Sequence, residues 1–284
     1  MKNMKYRVIL TLLCCIVCGV LSAQRWIPIA ADDESSHYLR VDRIPSSPRN
    51  ETFFKEVYTA KEAARLKKEY EYEALPAYAL KSYCYPYSYN YFATRTFNVY
   101  DEADQALYEA FHGFLSFDSI RGGYMRYYSR WSYLLKRYGA DACLFASQTR
   151  FRNANAEWVK FSESDKTTRY IRVDLSNSQD SLAIFKAVYK AGFAKEIQKE
   201  YEFKEPPTHR IFVYKISDNG QAITQLAETW YGKKGPISSI WLYPFSDPQT
   251  IEEDVYKVYV KWAFMLFEYG KSSILELSND SSAK

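Results

Sequence analysis

HRIFVYKISDNGQAITQLAETWY, residues 209–231, is the stretch from which the fold is read. Apolar and polar residues alternate through His209–Ile216 and again through Ala222–Tyr231. Asp218-Asn219-Gly220 between them supplies the residues that tolerate the positive φ of a tight turn. The stretch is therefore a β-hairpin, and the pattern extends to both sides of it. Upstream, 142–151, 157–161 and 169–175 read as three short strands separated by polar turns. Ser176-Asn177-Ser178-Gln179 has the spacing of a capping box and predicts a helix to about Tyr201, before Pro206-Pro207. Downstream, 237–245 reads as a strand. Ser246-Asp247-Pro248-Gln249 caps a last helix over 252–270, apolar nearly all round apart from Lys257, Lys261 and Glu268. Three strands and a helix thus follow three strands and a helix. The boxes start 70 positions apart, at Ser176 and Ser246, with Leu175 matching Phe245 and Tyr189 matching Tyr259. This suggests a tandem repeat of 142–205 and 208–272.

The preceding half reads differently. Residues 24–50 hold an acidic and a Pro/Ser-rich cluster, Asp32 to Ser36 and Pro45 to Pro48, and are expected to be an extended lead-in. Residues 51–140 read as a mainly helical region. Thr59-Ala60-Lys61-Glu62 caps a helix to about Tyr72, Asp101 caps another to about Asp118, and Arg121-Gly122-Gly123 breaks it. A third helix over 124–138 carries a stripe of Tyr124, Tyr128, Trp131, Leu135 and Tyr138, with Gly139 as its stop. The expected fold class is α+β: a helical N-terminal half followed by a strand-rich C-terminal half, with two βββα units around an antiparallel sheet. Residues 276–284 read as a polar tail.

Met1 to Ala23 has the form of a signal peptide. Lys2, Lys5 and Arg7 precede an uncharged apolar run that is short for a membrane span, and Leu21-Ser22-Ala23 offers small residues for cleavage near Ala23. The segment accounts for three of the five cysteines and for three of the charges in a formal net +4, leaving +1 on the rest of the chain. Near-neutral charge and export both argue against nucleic acid as a partner. The expected location is the periplasm or the extracellular space. An uncleaved segment would instead make the protein a membrane-attached accessory subunit; no other stretch is long and apolar enough to span a bilayer.

No catalytic, metal or cofactor signature is present. Gly122-Gly123 lacks the Lys-Ser/Thr ending of a phosphate loop, no Gly-x-Ser-x-Gly turn occurs, and His37, His112 and His209 lie far apart without ligand spacing. No cofactor and no metal are expected. The acid groups Asp101/Asp104 and Glu252/Glu253/Asp254 suit helix starts. Cys84 and Cys143 either pair as a disulfide in an oxidising compartment or stand as buried thiols.

Two surfaces stand out in a chain with 27 Tyr and 17 Phe. Tyr83, Tyr85, Tyr87, Tyr89 and Tyr91 alternate with other residues, so an extended chain puts all five on one face. That face is either an aromatic platform for a glycan or peptide, or a strand packed on the body of the protein. Arg121, Arg126, Arg130, Lys136 and Arg137 lie largely off the aromatic stripe of the 124–138 helix, with Arg150 and Arg152 beyond it. They form either a docking face for an anionic partner or a solvated face. The sequence thus points to an exported, non-enzymatic binding or assembly protein of the cell envelope, with an envelope protein, peptide or glycan as partner. The alternative is an envelope-acting hydrolase on glycan or peptide with a carboxylate site that no motif marks.

Overall fold

The computed structural model describes residues 24–43, 51–84, 91–111, 117–119, 123–151, 155–175, 181–217, 220, 222–244, 246, 249–250 and 254–281. The first half is mostly strands, which corrects the helical N-terminal half expected from the sequence. Strands β1 (Trp26–Ala31), β2 (Ser35–Arg40) and β3 (Glu51–Tyr58) lead to helix α1 (Ala60–Tyr70). Strands β4 (Tyr78–Cys84), β5 (Tyr91–Tyr100), β6 (Ala106–Phe111) and β7 (Phe117–Ser119) lead to helix α2 (Gly123–Ser147). The second half repeats this order. Strands β8 (Trp158–Glu163), β9 (Thr167–Arg172) and β10 (Leu182–Tyr189) precede helix α3 (Ala191–Glu200). Strands β11 (His209–Ile216), β12 (Ala222–Tyr231), β13 (Trp241–Leu242) and β14 (Gln249–Thr250) precede helix α4 (Asp254–Ser281). Each half forms one antiparallel sheet with its strands in chain order: β1 to β6 with β7 beside β5, and β8 to β13 with β14 beside β12.

The layers alternate. Ile27, Ile29, Leu39 and Phe54 of the first sheet pack on α2 through Tyr128, Trp131 and Leu135. The same core continues into Leu182, Ile184, Ile211 and Val213 of the second sheet, so α2 lies between the two sheets. The opposite face of the second sheet, with Phe185, Phe212 and Tyr214, packs on Tyr259, Ala263 and Leu266 of α4. The second sheet is therefore apolar on both faces. This explains why LAIFKAVY of β10 shows no period-two pattern and reads as helix in sequence.

Three further differences have local causes. Asp101 caps a turn instead of a helix: its carboxylate accepts from the N–H of Ala103 at 2.9 Å and of Gln105 at 2.8 Å, closing the β5–β6 hairpin. The apolar run at 142–147, expected as a strand, is the last part of α2. Gly139 has φ 81° and ψ −177°, so it kinks the helix rather than ending it. Residues 24–43, expected as lead-in, contain β1 and β2, which hold an edge of the first sheet. The capping residue Thr59 stands as read: its side chain accepts from Glu62 N–H at 3.3 Å. Both strands of the 209–231 hairpin match their sequence bounds.

The two halves are copies of one unit. FKEVYTA at 54–60 corresponds to FKAVYKA at 185–191, and YSRWSYLLKRYG at 128–139 to YVKWAFMLFEYG at 259–270, each pair 131 positions apart. YLRVD at 38–42 corresponds to YIRVD at 170–174. The geometry agrees. Arg40–Asp42 is an ion pair at 2.9 Å and Arg172–Asp174 one at 2.8 Å. Glu71 and Glu202, which follow α1 and α3, have φ of 55° and 54°. The bulge between Ser82 and Tyr83 is matched by one between Val213 and Tyr214. Gly270 kinks α4 at φ 73° and ψ −174°. The period that orders the strands is therefore 131, not the 70 that the two capping boxes suggest.

Candidate functional site

Each unit carries a cavity between its inserted helix and the sheet face that packs on its long C-terminal helix. The larger, about 440 Å³, lies in the N-terminal unit, within the range of ligand sites. Tyr58, Tyr70, Tyr72, Phe97 and Tyr108 wall it, with Glu56, Glu62 and Lys81 as its charged groups. Alternation along β3 explains the placement. Thr52 and Phe54 are buried on the face toward α2, so Glu56 and Tyr58, two and four residues beyond Phe54, share that face where α1 overhangs it. In register, β3 pairs Phe54 with Lys81 and Glu56 with Ala79, which makes Glu56 and Lys81 diagonal neighbours that form an ion pair.

A chain of hydrogen bonds runs from this pair into the core. Ser35 Oγ donates to Glu56 Oε1 at 3.1 Å and lies 3.0 Å from His37 Nε2; His37 Nδ1 lies 2.6 Å from the Tyr128 hydroxyl. Because the Ser35 proton goes to Glu56, the bond from His37 has Nε2–H donating, and Nδ1 of the neutral ring accepts from Tyr128. Burial, opposed by the nearby Glu56 carboxylate, holds His37 below the usual histidine range. Around the cavity, burial raises the Tyr58 and Tyr72 phenols. Arg65 holds the Glu62 carboxyl below the usual carboxylate range. Tyr70 and Tyr108, 58% and 46% exposed, leave aromatic surface in solvent at the cavity.

The smaller cavity, about 240 Å³, takes the same place in the C-terminal unit. Tyr189, Ile197, Tyr201 and Trp230 line it where Tyr58, Leu66, Tyr70 and Val99 line the first.

The residues singled out in the sequence fall elsewhere. Of the tyrosine ladder, Tyr83 is buried with its ring 5.7 Å from those of Phe54 and Tyr128. Tyr91 opens β5, and Tyr85, Tyr87 and Tyr89 lie outside the described residues, as do the Tyr91 side chain and the 276–284 tail's last three residues. In the basic group, Arg121, Arg152 and the Arg126 side chain also lie outside them. Arg130 is half-buried; Lys136 and Arg137 are exposed. Arg137 donates to Pro244 O at 3.1 Å and Arg150 to Ser238 O at 3.2 Å, so α2 and the turn that follows it are tied to loops of the second sheet. Cys84, half-buried, and Cys143, fully buried, are free thiols, each raised by burial. Among the described residues no group of three His, Cys, Asp or Glu is placed to hold a metal, and no helix is long and apolar enough to cross a membrane.

Sequence reading missed Glu56, Lys81, Ser35 and His37. The available signal was the recurrence of FKxVYxA, which aligns β3 with β10 and places both units' cavities. The chain matches no family model, no curated protein and no solved structure.

Proposed function

We propose that the chain is an exported, non-enzymatic binding protein of the periplasm or cell surface, released after cleavage near Ala23. Its N-terminal cavity would hold a ring-bearing polar segment of an envelope glycan. The observation that carries this reading is the combination of five aromatic walls with one Glu56–Lys81 pair in a cavity of about 440 Å³. Flat aromatic faces match the apolar faces of sugar rings, and the carboxylate and ammonium match hydroxyls in both hydrogen-bonding senses.

The hydrolase alternative draws support from Glu56 and Glu62 lining one cavity. A glycosidase acid, however, needs a carboxyl whose pKa is raised. Arg65 pulls that of Glu62 down, and Glu56 is already engaged by Lys81 and Ser35. Binding without turnover fits this arrangement better.

The test is calorimetric titration of purified residues 24–284 with soluble oligosaccharide fragments of the envelope. The reading expects binding that is lost in a Tyr70→Ala, Tyr108→Ala double variant whose melting temperature is unchanged. Cleavage of the fragments, abolished by Glu56→Gln or Glu62→Gln in a folded protein, would establish the hydrolase instead.

A further inference from the structure

The two cavities have kept their place and exchanged their chemistry. Where the N-terminal unit has Ala79, Glu56 and Lys81, the equivalent C-terminal positions are Arg210, Ala187 and Phe212; His37, paired with Glu56, corresponds to Arg169, paired with Ala187. Both arginines line the C-terminal cavity, where Glu200 is the one carboxylate among the described lining residues. The N-terminal unit folds without either guanidinium, so the architecture does not require them.

Arg210 sits among rings, its guanidinium carbon 4.7 Å from the Phe212 centroid and 5.4 Å from that of Trp230. Its Nη1 donates to Glu228 Oε2 at 3.1 Å. The two Glu228 oxygens also accept from Gln225 and Tyr243. The Arg210 Nε–H is buried without a partner, and so is the Trp230 indole N–H. A buried donor without an acceptor gives up its hydration for nothing, and such groups are rare enough in folded proteins to call for an explanation. Only five side-chain atoms among the described residues are in this condition, and two of them belong to residues that line this one cavity. Both are donors.

We propose that the C-terminal cavity is a second binding site, for a small carboxylate with a flat apolar body. One carboxylate oxygen accepts from the Arg210 guanidinium and the other from Arg169, while the body lies against Tyr189, Tyr201 and Trp230. Glu228 accepts from Arg210 Nη1, Gln225 and Tyr243 and still leaves the Arg210 Nε–H without an acceptor. A carboxylate suits because a guanidinium edge presents parallel N–H groups to its two oxygens.

Benzoate is the probe, followed through the indole N–H resonance of Trp230, assigned with Trp230→Phe. The proposal expects saturable binding in the millimolar range or tighter, and benzamide, the neutral isostere, binding at least about tenfold more weakly. Arg210→Lys keeps the charge but removes the fork and should weaken benzoate about tenfold or more. Arg169→Gln, at a position outside the Glu228 network, should do the same should the first variant fail to fold. Lys81→Ala in the other cavity should leave benzoate binding unchanged, which separates this site from the glycan reading. Equal binding of benzoate and benzamide, no Trp230 shift up to about 50 mM benzoate, or full affinity in folded Arg169→Gln overturns the proposal.

Discussion

Replacing Gly139 by alanine tests the duplicated architecture through the sign of one stability change. In an ordinary helix interior, glycine to alanine stabilises by about 1 kcal/mol, because alanine loses less backbone entropy on folding. At Gly139, φ is 81° and ψ is −177°, inside α2. That region is essentially closed to residues with a Cβ and costs about 1–3 kcal/mol to occupy. A Cβ built there meets nothing within 4 Å, so the whole penalty is backbone strain and neighbours cannot relieve it. Gly270 has the same conformation, φ 73° and ψ −174°, and the same open space. Each substitution should therefore destabilise by a similar amount, about 1–3 kcal/mol, which in a protein of this length lowers the melting temperature by roughly 2–4 °C per kcal/mol. Thermal unfolding followed by circular dichroism measures both variants. A neutral or stabilising effect at either glycine would mean that the long helices run straight and that the shared kink is not a feature of the unit.

Four other outcomes follow from the same geometry. Lys81→Ala leaves the half-buried Glu56 carboxylate with only Ser35, and should cost about 1–2 kcal/mol in urea unfolding while weakening oligosaccharide binding; unchanged affinity would remove the pair from the site. Asp42 is held low by its hydrogen bond from Arg40. Asp174 is held low by Arg172 against the opposing effect of burial. With folded values below the unfolded one, their contribution is complete above about pH 4 and is lost as pH falls through the folded values. The urea midpoint should therefore drop from pH 5 to pH 3, and less so in Asp42→Asn with Asp174→Asn; an equal drop in that variant would refute the assignment. Alkylation of residues 24–284 in denaturant without reductant should modify two thiols, Cys84 and Cys143, where a disulfide would leave none. Benzoate should raise the melting temperature of the wild type more than that of Arg169→Gln at the same concentration, as mass action on a folded-state ligand requires.

What the sequence revealed depended on whether one face of an element is solvated. The β11–β12 hairpin alternates and carries Asn-Gly, and its bounds were readable to the residue. β10 is buried on both sides between α2 and α4, so its pattern was continuous and looked helical. Asp101 offers carboxylate oxygens to successive backbone N–H groups, chemistry that serves a hairpin turn as well as a helix start. The apolar run after Gly139 could not be told from a strand, because a kinked helix and a helix stop both use glycine at positive φ. The long period escaped because its identities sit in short blocks spread over 131 positions, while the 70-residue spacing rested on a capping pattern common to many helices. The site was hidden for a related reason. Glu56 and Lys81 meet only once β3 and β4 pair across an intervening helix, and His37 reaches them through Ser35 on a strand of the presumed lead-in.

One unit, duplicated, gives two equivalent cavities with different linings, and we propose that they take different ligands. Chemical-shift mapping of residues 24–284 with both probes tests it most directly. Oligosaccharide should move signals of Tyr70, Lys81 and Phe97 while leaving Trp230 still, and benzoate should do the reverse. Both probes shifting the same cavity, or neither shifting either, would rule out two separate sites.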